Sequence, residues 1–456
     1  MSGSLPLLDD TIVAIATPLG RGATALIRVS GPEVAAIGER VIAHFATLTP
    51  RLVSLATVHH PTTGVRIDRA LVTLFAGPRS YTGEDVLEIS VHGGALVPVL
   101  VMEALLAAGA RQALPGEFTR RAVANGRMDL LQAEAVGDLV DARTRMAHHV
   151  ALGQLEGGLS HHTAELRDAI IDLQALIAYD IDFPEEDHGV IDRERVASGI
   201  TRTLDALDRL LETRSVGEML RDGALVVIGG APNAGKSSLF NTLVGRQRAI
   251  VTDIPGTTRD AIESLIEVQG WPVRLVDTAG LRDSSDVVER LGIEVSERYL
   301  AESDVVILCA ERLDELEILR RRLSALVSAP CIVVQTKADL RGPSGDAGDD
   351  NALSVSTVTG IGLDDLIGQL VKLVSRKFSV VDTEAPLLTR ERHRQAVEAA
   401  RTELLAFRDA WLRGDPPSSV AAIHLQEAAQ HLGELTGTID VEDVLGRVFS
   451  TFCVGK

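Results

Sequence analysis

Cysteine is nearly missing from this 456-residue chain: Cys309, Cys331 and Cys453 stand far apart, with no CxxC pair. That spacing excludes a disulfide framework and a structural zinc site. Adjacent histidines at 59/60, 148/149 and 161/162 have no carboxylate or thiol at ligand spacing and read as solvated surface. Long apolar runs are missing too. No stretch reaches the roughly 18 apolar residues that a bilayer demands. The opening MSGSLPLLDDT has two acids and no arginine before Arg21, unlike a secretory or transit leader, so a cytoplasmic location is expected. Lysine is scarce: five, at 236, 337, 372, 377 and 456, against 40 arginines. Arginine is the default cation here, so lysines inside motifs point to places where a compact ammonium is required.

The formal charge of −19 is unevenly spread. Residues 1 to 120 carry 9 basic and 10 acidic groups, whereas residues 156 to 222 carry 7 basic and 16 acidic. An acidic helical surface repels a phosphate backbone, so any RNA would need a basic partner. With 45% hydrophobic residues the chain can bury ample core, and its length predicts two or three domains.

Residues 1–120 mix β-branched runs (TIVAIAT, ATALIRVS, RALVTLF, DVLEISV) with a helical stretch near 95–108, an α+β pattern. Residues 121–221 show apolar positions at helical spacing, broken by the acidic loop DIDFPEEDHG. In residues 222–379, short apolar strands (ALVVIGG, VRLVDTAG, DVVILCA, CIVVQTK, ALSVS) alternate with helices, predicting an α/β domain with a largely parallel sheet. Residues 380–456 turn helical again, so the α/β domain reads as an insertion within an all-α domain.

Gly230 to Ser237 spell GxxxxGK[ST] directly after a strand and before a helix. In that context Asn233, Ala234 and Gly235 offer backbone N–H groups to phosphates, with Ser238 opening the helix behind them. Lys236 bridges the terminal phosphates and the Ser237 hydroxyl ligates magnesium. Asp277, Thr278, Ala279 and Gly280 form DTAG at a strand end, suited to sensing magnesium and the γ-phosphate. Thr336, Lys337, Ala338 and Asp339 form TKAD at another. The Asp339 carboxylate can accept from the guanine ring N–H and exocyclic amine together, which adenine cannot supply, so GTP is the expected nucleotide. Thr336 stands where such motifs usually carry asparagine, which predicts altered affinity with selectivity kept. A third loop, Ser356 to Gly362 with Ser356, Thr357 and Val358 leading, completes the base site through its backbone N–H groups. Leu281 occupies the position where switch GTPases place a water-orienting glutamine. The catalytic group must come from elsewhere, and Asp283, Asp286 and Glu289 are the candidates that follow.

The strings GGAPNAGKSSLFNTLVGRQRAIVTDIPGTTRD, DTAGLRDSSDVVERLGIE and FSTFCVGK resemble the MnmE (TrmE) family of tRNA-modification GTPases, and SYTGEDVLEISVHGG and PGEFTRRAVANGRMDLLQAEAVGDLVDA extend the resemblance over essentially the whole chain. The resemblance implies a folate-binding-like N-terminal domain that mediates homodimerisation and holds formyl- or methylene-tetrahydrofolate through Arg28, Glu88, Arg127 and Lys456. It implies a potassium site at Asn233, Thr252, Ile254 and Thr257, with Thr258 as second magnesium ligand and Asp253, Pro255 and Gly256 lining the same GTP loop. Glu289 is implied as the catalytic, water-orienting residue beside Lys236, with Arg259 and Arg282 as switch salt-bridge residues. Cys453 in CVGK makes a poor prenylation box, and both a nucleophile and a small buried residue remain open for it. The implied activity, with an FAD-dependent MnmG-like partner, adds an aminomethyl or carboxymethylaminomethyl group at C5 of the tRNA wobble uridine, the tRNA being held mainly by that partner. The alternative is a ribosome-assembly GTPase of the Era or EngA type; those carry basic RNA-binding domains or a second GTPase domain.

Overall fold

The structure, a computed structural model, describes residues 9–18, 20–182, 193–231, 233–246, 248–249, 263–277, 298–324, 327–340, 352–378, 386–413, 418–437, 452 and 455. It divides into two compact units, residues 1–137 with 433–456, and residues 138–432.

In the first unit β1 (Ile12–Ile15), β2 (Thr24–Ser30), β3 (Ser54–His59), β4 (Arg66–Phe75), β5 (Val86–His92) and β6 (Arg111–Gln112) form one sheet in the order β3-β4-β5-β2-β1-β6. Its pairs are antiparallel except β1 with β6. Side chains alternate faces along a strand, and the central strands obey that rule. Ala25, Ile27 and Val29 of β2 and Leu87, Ile89 and Val91 of β5 join a core with Val34, Ile37 and Val41 of helix Val34–Val41 and Val101, Ala104 and Leu105 of helix Val97–Ala107. Arg28 and Glu88, opposite each other in the β2–β5 register, therefore lie on the other face. A smaller apolar cluster of Ile12, Ala14, Ala113 and Phe118, with Tyr81 against it, packs elsewhere in this unit.

Helix Glu117–Ala124 is held by charge rather than by apolar contact alone. Arg121 is fully buried and donates to the Asp10 carboxylate (2.5 Å), Glu84 (3.1 Å) and Glu117 (3.2 Å). Arg111 grips Asp10 (2.6 Å) and Glu117 (2.7 Å) as well. Buried charges survive only when paired in this way.

In the second unit β7 (Ala224–Gly230), β8 (Arg248–Ala249), β9 (Glu263–Val268), β10 (Trp271–Asp277), β11 (Val305–Ala310), β12 (Cys331–Gln335) and β13 (Ala352–Ser354) form a sheet in the order β13-β12-β11-β7-β10-β9-β8. Strands β7, β10, β11, β12 and β13 pair in parallel. All six residues of β11 and the first six of β7 are buried, as central parallel strands covered on both faces must be. The sequence reading missed β8 and β9, which run antiparallel at one edge. The β9–β10 connection turns at Gln269 (φ 49°) and Gly270 (φ 91°), two left-handed residues in a tight hairpin. Helices Lys236–Arg246, Leu313–Ser324 and Leu363–Phe378 accompany this sheet.

Helices Arg145–Leu155, Gly158–Asp182, Arg193–Glu212, Arg214–Asp222 and Glu391–Arg413 belong to the same unit. A buried polar clamp ties their ends to the segment entering the last of them. Gln154 donates to the Leu387 carbonyl (3.0 Å) and the Thr213 hydroxyl accepts from the Leu388 N–H (3.0 Å). Among the described residues no helix is long and apolar enough to cross a membrane.

Candidate active site

The carboxyl ends of β7, β10, β11 and β12 meet at one edge of the sheet, where open α/β sheets bind ligands. The chain leaves β7 through Gly230, whose φ of +143° few other residues adopt and whose missing Cβ would stand 1.9 Å from the Cys309 carbonyl oxygen. Only glycine lets β7 and β11 approach so closely just before the loop. Asn233 (φ 59°) and Gly235 (φ 75°) are both left-handed, so the backbone curls before helix Lys236–Arg246 begins. Lys236 is 7% exposed, and its ammonium donates to the carbonyls of Gly230 (3.1 Å) and Ala231 (2.7 Å), inside the arc of the loop. Asn233, Ser237 and Ser238 are exposed, and Ala234 is buried beneath them. Asp277 ends β10 and is buried. A helix N-terminus facing a curled loop with a fixed ammonium forms an anion cradle.

Cys309 lies on the strand beneath this cradle. Burial pushes its thiol up to about 12, although the nearby Lys236 ammonium pulls the other way. It is a neutral packing group, with no thiolate available for chemistry.

The base motifs are tied together by side chains. Asp339, in the short helical turn Ala338–Leu340, accepts a 2.6 Å hydrogen bond from the Ser356 hydroxyl. Ser356 is fully buried, and its oxygen accepts from the backbone N–H groups of Val358 (3.2 Å) and Thr359 (3.1 Å). One hydroxyl therefore fixes both the carboxylate and the following loop. The sequence reading assigned only backbone N–H groups to that loop and missed this link. Lys337 is left-handed (φ 56°) and pairs with Glu311 (2.7 Å). Thr336 is buried, and its hydroxyl donates to the Ala310 carbonyl (3.3 Å). Thr357 is half-buried, and Val358 is 82% exposed beside the motif.

In the other unit, Arg28 and Glu88 are brought together. Arg28 donates twice to one Glu88 oxygen, Nη2 at 2.8 Å and Nε at 3.0 Å, and its Nη1 donates to the Gly455 carbonyl at 3.4 Å. Its guanidinium stands 5.3 Å from the Tyr81 ring centre and 5.8 Å from that of Phe118. Burial raises the Tyr81 hydroxyl, which shares a 2.8 Å hydrogen bond with Thr119. Gly455 (φ +102°) has no room for a side chain, because a Cβ would lie 2.9 Å from Ala16 Cα. Arg127 is exposed and stands beside Gly83, two residues from Tyr81, rather than in the Arg28–Glu88 pair. Tyr81, Phe118 and Gly455 carried no ligand signal in the sequence, being an aromatic pair in ordinary α+β context and a glycine in a terminal motif.

Thr252, Asp253, Ile254, Pro255, Gly256, Thr257, Thr258, Thr278, Ala279, Gly280, Glu289, Cys453 and Lys456 lie outside the described residues.

A family model described as the MnmE helical domain matches residues 130–453, and one described as the GTP-binding protein TrmE N-terminus matches residues 11–127. The tRNA modification GTPase MnmE of Aquifex aeolicus is 38% identical over 452 residues, covering 98% of this chain and 100% of that protein. Its counterpart from Moorella thermoacetica is 40% identical over 465 residues, covering 99% and 100%. Among solved structures, the G domain of the T. maritima FeoB iron transporter is 26% identical, covers 33% of this chain and 98% of its own, and has a TM-score of 0.26. A match that runs through both ends decides against the ribosome-assembly reading. A glycine-curled phosphate loop with its lysine seated inside, an aspartate held by a buried serine, and relatives along its whole length show that the chain belongs to the MnmE family of tRNA modification GTPases, enzymes that bind and hydrolyse GTP.

Proposed function

We propose that this GTPase is activated by potassium and works with an FAD-dependent MnmG-like partner to place an aminomethyl or carboxymethylaminomethyl group on C5 of the tRNA wobble uridine. The exposed, left-handed Asn233, in the phosphate loop three residues before Lys236, supports the potassium part of the reading. Asn233, Thr252, Ile254 and Thr257 would hold the cation, and Ser237 and Thr258 the magnesium. Oxygen donors of this kind suit both ions. A monovalent cation at that rim supplies the charge neutralisation that an arginine finger gives elsewhere.

The chain's own residues do the rest. Lys236, fixed by two loop carbonyls, presents its ammonium to the terminal phosphates. Asp339, held by Ser356, accepts from the guanine ring N–H and amine. Leu281 cannot orient a water, and the family resemblance gives that task to Glu289. The experiment is GTP turnover in potassium against sodium at equal ionic strength, with Glu289→Ala alongside. Turnover at least tenfold faster in potassium and nearly abolished by the substitution is expected, since a misplaced nucleophile costs roughly 10² or more. Equal rates in both salts, or full activity of the variant, would sink the reading.

The polar cluster of the first unit supports a one-carbon folate site in a folate-binding-like domain. Glu88 suits the amidine-like edge of a pterin, with Arg28 at its side orienting that carboxylate, while Arg127 and Lys456 suit the anionic glutamate tail. The Arg28–Glu88 pair, backed by Tyr81 and Phe118, holds both groups at fixed positions. We assign residues 1–120 to this domain and to homodimerisation, residues 222–379 to a GTPase domain inserted in a helical domain of residues 121–221 and 380–456, and the whole to the cytoplasm where tRNA is modified.

A further inference from the structure

We infer that Thr336, the residue standing where the base motif usually carries asparagine, contacts no part of guanine and is instead the positioning residue that aims Asp339. Three successive residues, Gln335, Thr336 and Lys337, all reach back to the end of β11. Gln335 Nε2 donates to the Glu311 carbonyl (3.2 Å), and Lys337 Nζ pairs with the Glu311 carboxylate (2.7 Å). Thr336 gives both its N–H (2.9 Å) and its hydroxyl (3.3 Å) to the Ala310 carbonyl. The Gln335 and Lys337 contacts lie open to solvent, so water competes with them. Thr336 is 4% exposed, and its Cβ lies 4.0 Å from the place of a Cβ on Gly235 in the phosphate loop. It is thus the fixed point of the clamp, wedged between the phosphate loop and the end of β11.

The hydroxyl has one proton, and Ala310 takes it, which leaves no donor for the acceptor edge of the purine at N7. Directly after Thr336 the backbone turns left-handed at Lys337 and winds into Ala338–Leu340, so the attitude of Asp339 depends on where that turn begins. Thr336 sets that point with two hydrogen bonds to one carbonyl. The inference rests on Asp339 reading the base, as proposed above.

The test uses the full chain and equilibrium binding of GDP, 7-deaza-GDP, which lacks N7, and IDP, which lacks the exocyclic amine. Thr336→Val is expected to lower the preference for GDP over IDP by about fivefold, the worth of one buried hydrogen bond. Thr336→Ser, which keeps the hydroxyl, is expected to restore it. The ratio of GDP to 7-deaza-GDP affinity stays the same in all three proteins. Loss of stability alone would weaken every nucleotide equally and leave both ratios unmoved. A 7-deaza ratio that collapses in the valine variant would mean that Thr336 reads the base, and an unchanged GDP-to-IDP ratio would mean that it aims nothing; either overturns the inference. Asp339→Ala separates the two failures. Discrimination that survives this change removes the base reading itself, whereas discrimination lost there but intact in Thr336→Val overturns the positioning role alone.

Discussion

The most consequential single contact in the base site is the 2.6 Å bond from Ser356 to Asp339. In the proposed role, a carboxylate meeting two guanine donors at once gains from a fixed orientation, and a hydrogen bond to a charged group is worth about 1.5 to 3 kcal/mol. Ser356→Ala is therefore expected to weaken GDP binding about 10- to 100-fold. The bound affinity can be read by titration with a fluorescent nucleotide. An affinity unchanged within a factor of two would show that the loop N–H groups hold Asp339 without the hydroxyl. At this scale the sequence was most legible where backbone conformation is dictated by residue type, as at Gly230 and Gly235. It was least legible where a side chain's partner comes from a distant strand. Nothing in STVTGIG announces that its serine reaches Asp339, 17 residues earlier, or that Thr336 bonds Ala310, 26 residues earlier.

Among the elements, helix Glu117–Ala124 depends on protonation most directly. Asp10 is held below its ordinary 3.8 by hydrogen bonds from Arg111 and Arg121, which outweigh its desolvation. Burial raises Glu117, but hydrogen bonds from Arg111, the Leu114 N–H and Arg121 bring it below its ordinary 4.5. In the folded chain both carboxyls bind protons less readily than in the unfolded chain. Their contribution is thus full above pH of about 5 and is lost as pH falls through the folded values. Thermal melts between pH 6 and pH 3 should show the first unit losing stability in acid, with a shallower dependence in Glu117→Gln. Arg121→Met strands buried carboxylates and should cost about 3 to 5 kcal/mol at neutral pH. A melting curve indifferent to pH over that range would contradict this account. The same scale shows what periodicity could and could not reveal. Fully apolar ALVVIGG and VVILCA were readable as central parallel strands, whereas ESLIEV, with glutamates at its first and fifth positions and beside a switch-like loop, hid the strand Glu263–Val268, which pairs between β10 and the short edge strand β8. The positive φ values at Gln269 and Gly270 are what make it a hairpin, and QG is a weaker sign than the asparagine or aspartate that usually precedes glycine there.

For the whole molecule, the distribution of charge constrains how a tRNA can be held. The chain carries −19, with 16 acids against 7 bases in residues 156 to 222, and the first 120 residues are close to neutral. Affinity for a nucleic acid grows with the number of phosphates that arginine and lysine neutralise, and each one steepens the fall of log K with log salt by about 0.7 to 0.9. Many of this chain's arginines are already committed: Arg111 and Arg121 to the ionic cluster, Arg28 to Glu88, Arg390 to Asp138, Arg394 to Glu391, and Arg401 to Asp208. An arginine bound to its own carboxylate must break that pair before it meets a phosphate, which lowers the return from each contact. The chain alone should therefore bind tRNA weakly, with a salt slope shallower than about −3, equivalent to roughly three or four phosphates. Filter binding between 50 and 200 mM salt measures it directly. Addition of the basic partner that the proposed function requires should steepen the slope, because the new phosphate contacts would be the partner's. A steep slope for the chain alone would place the tRNA surface on this protein, and the search for it would begin with exposed arginines outside these pairs.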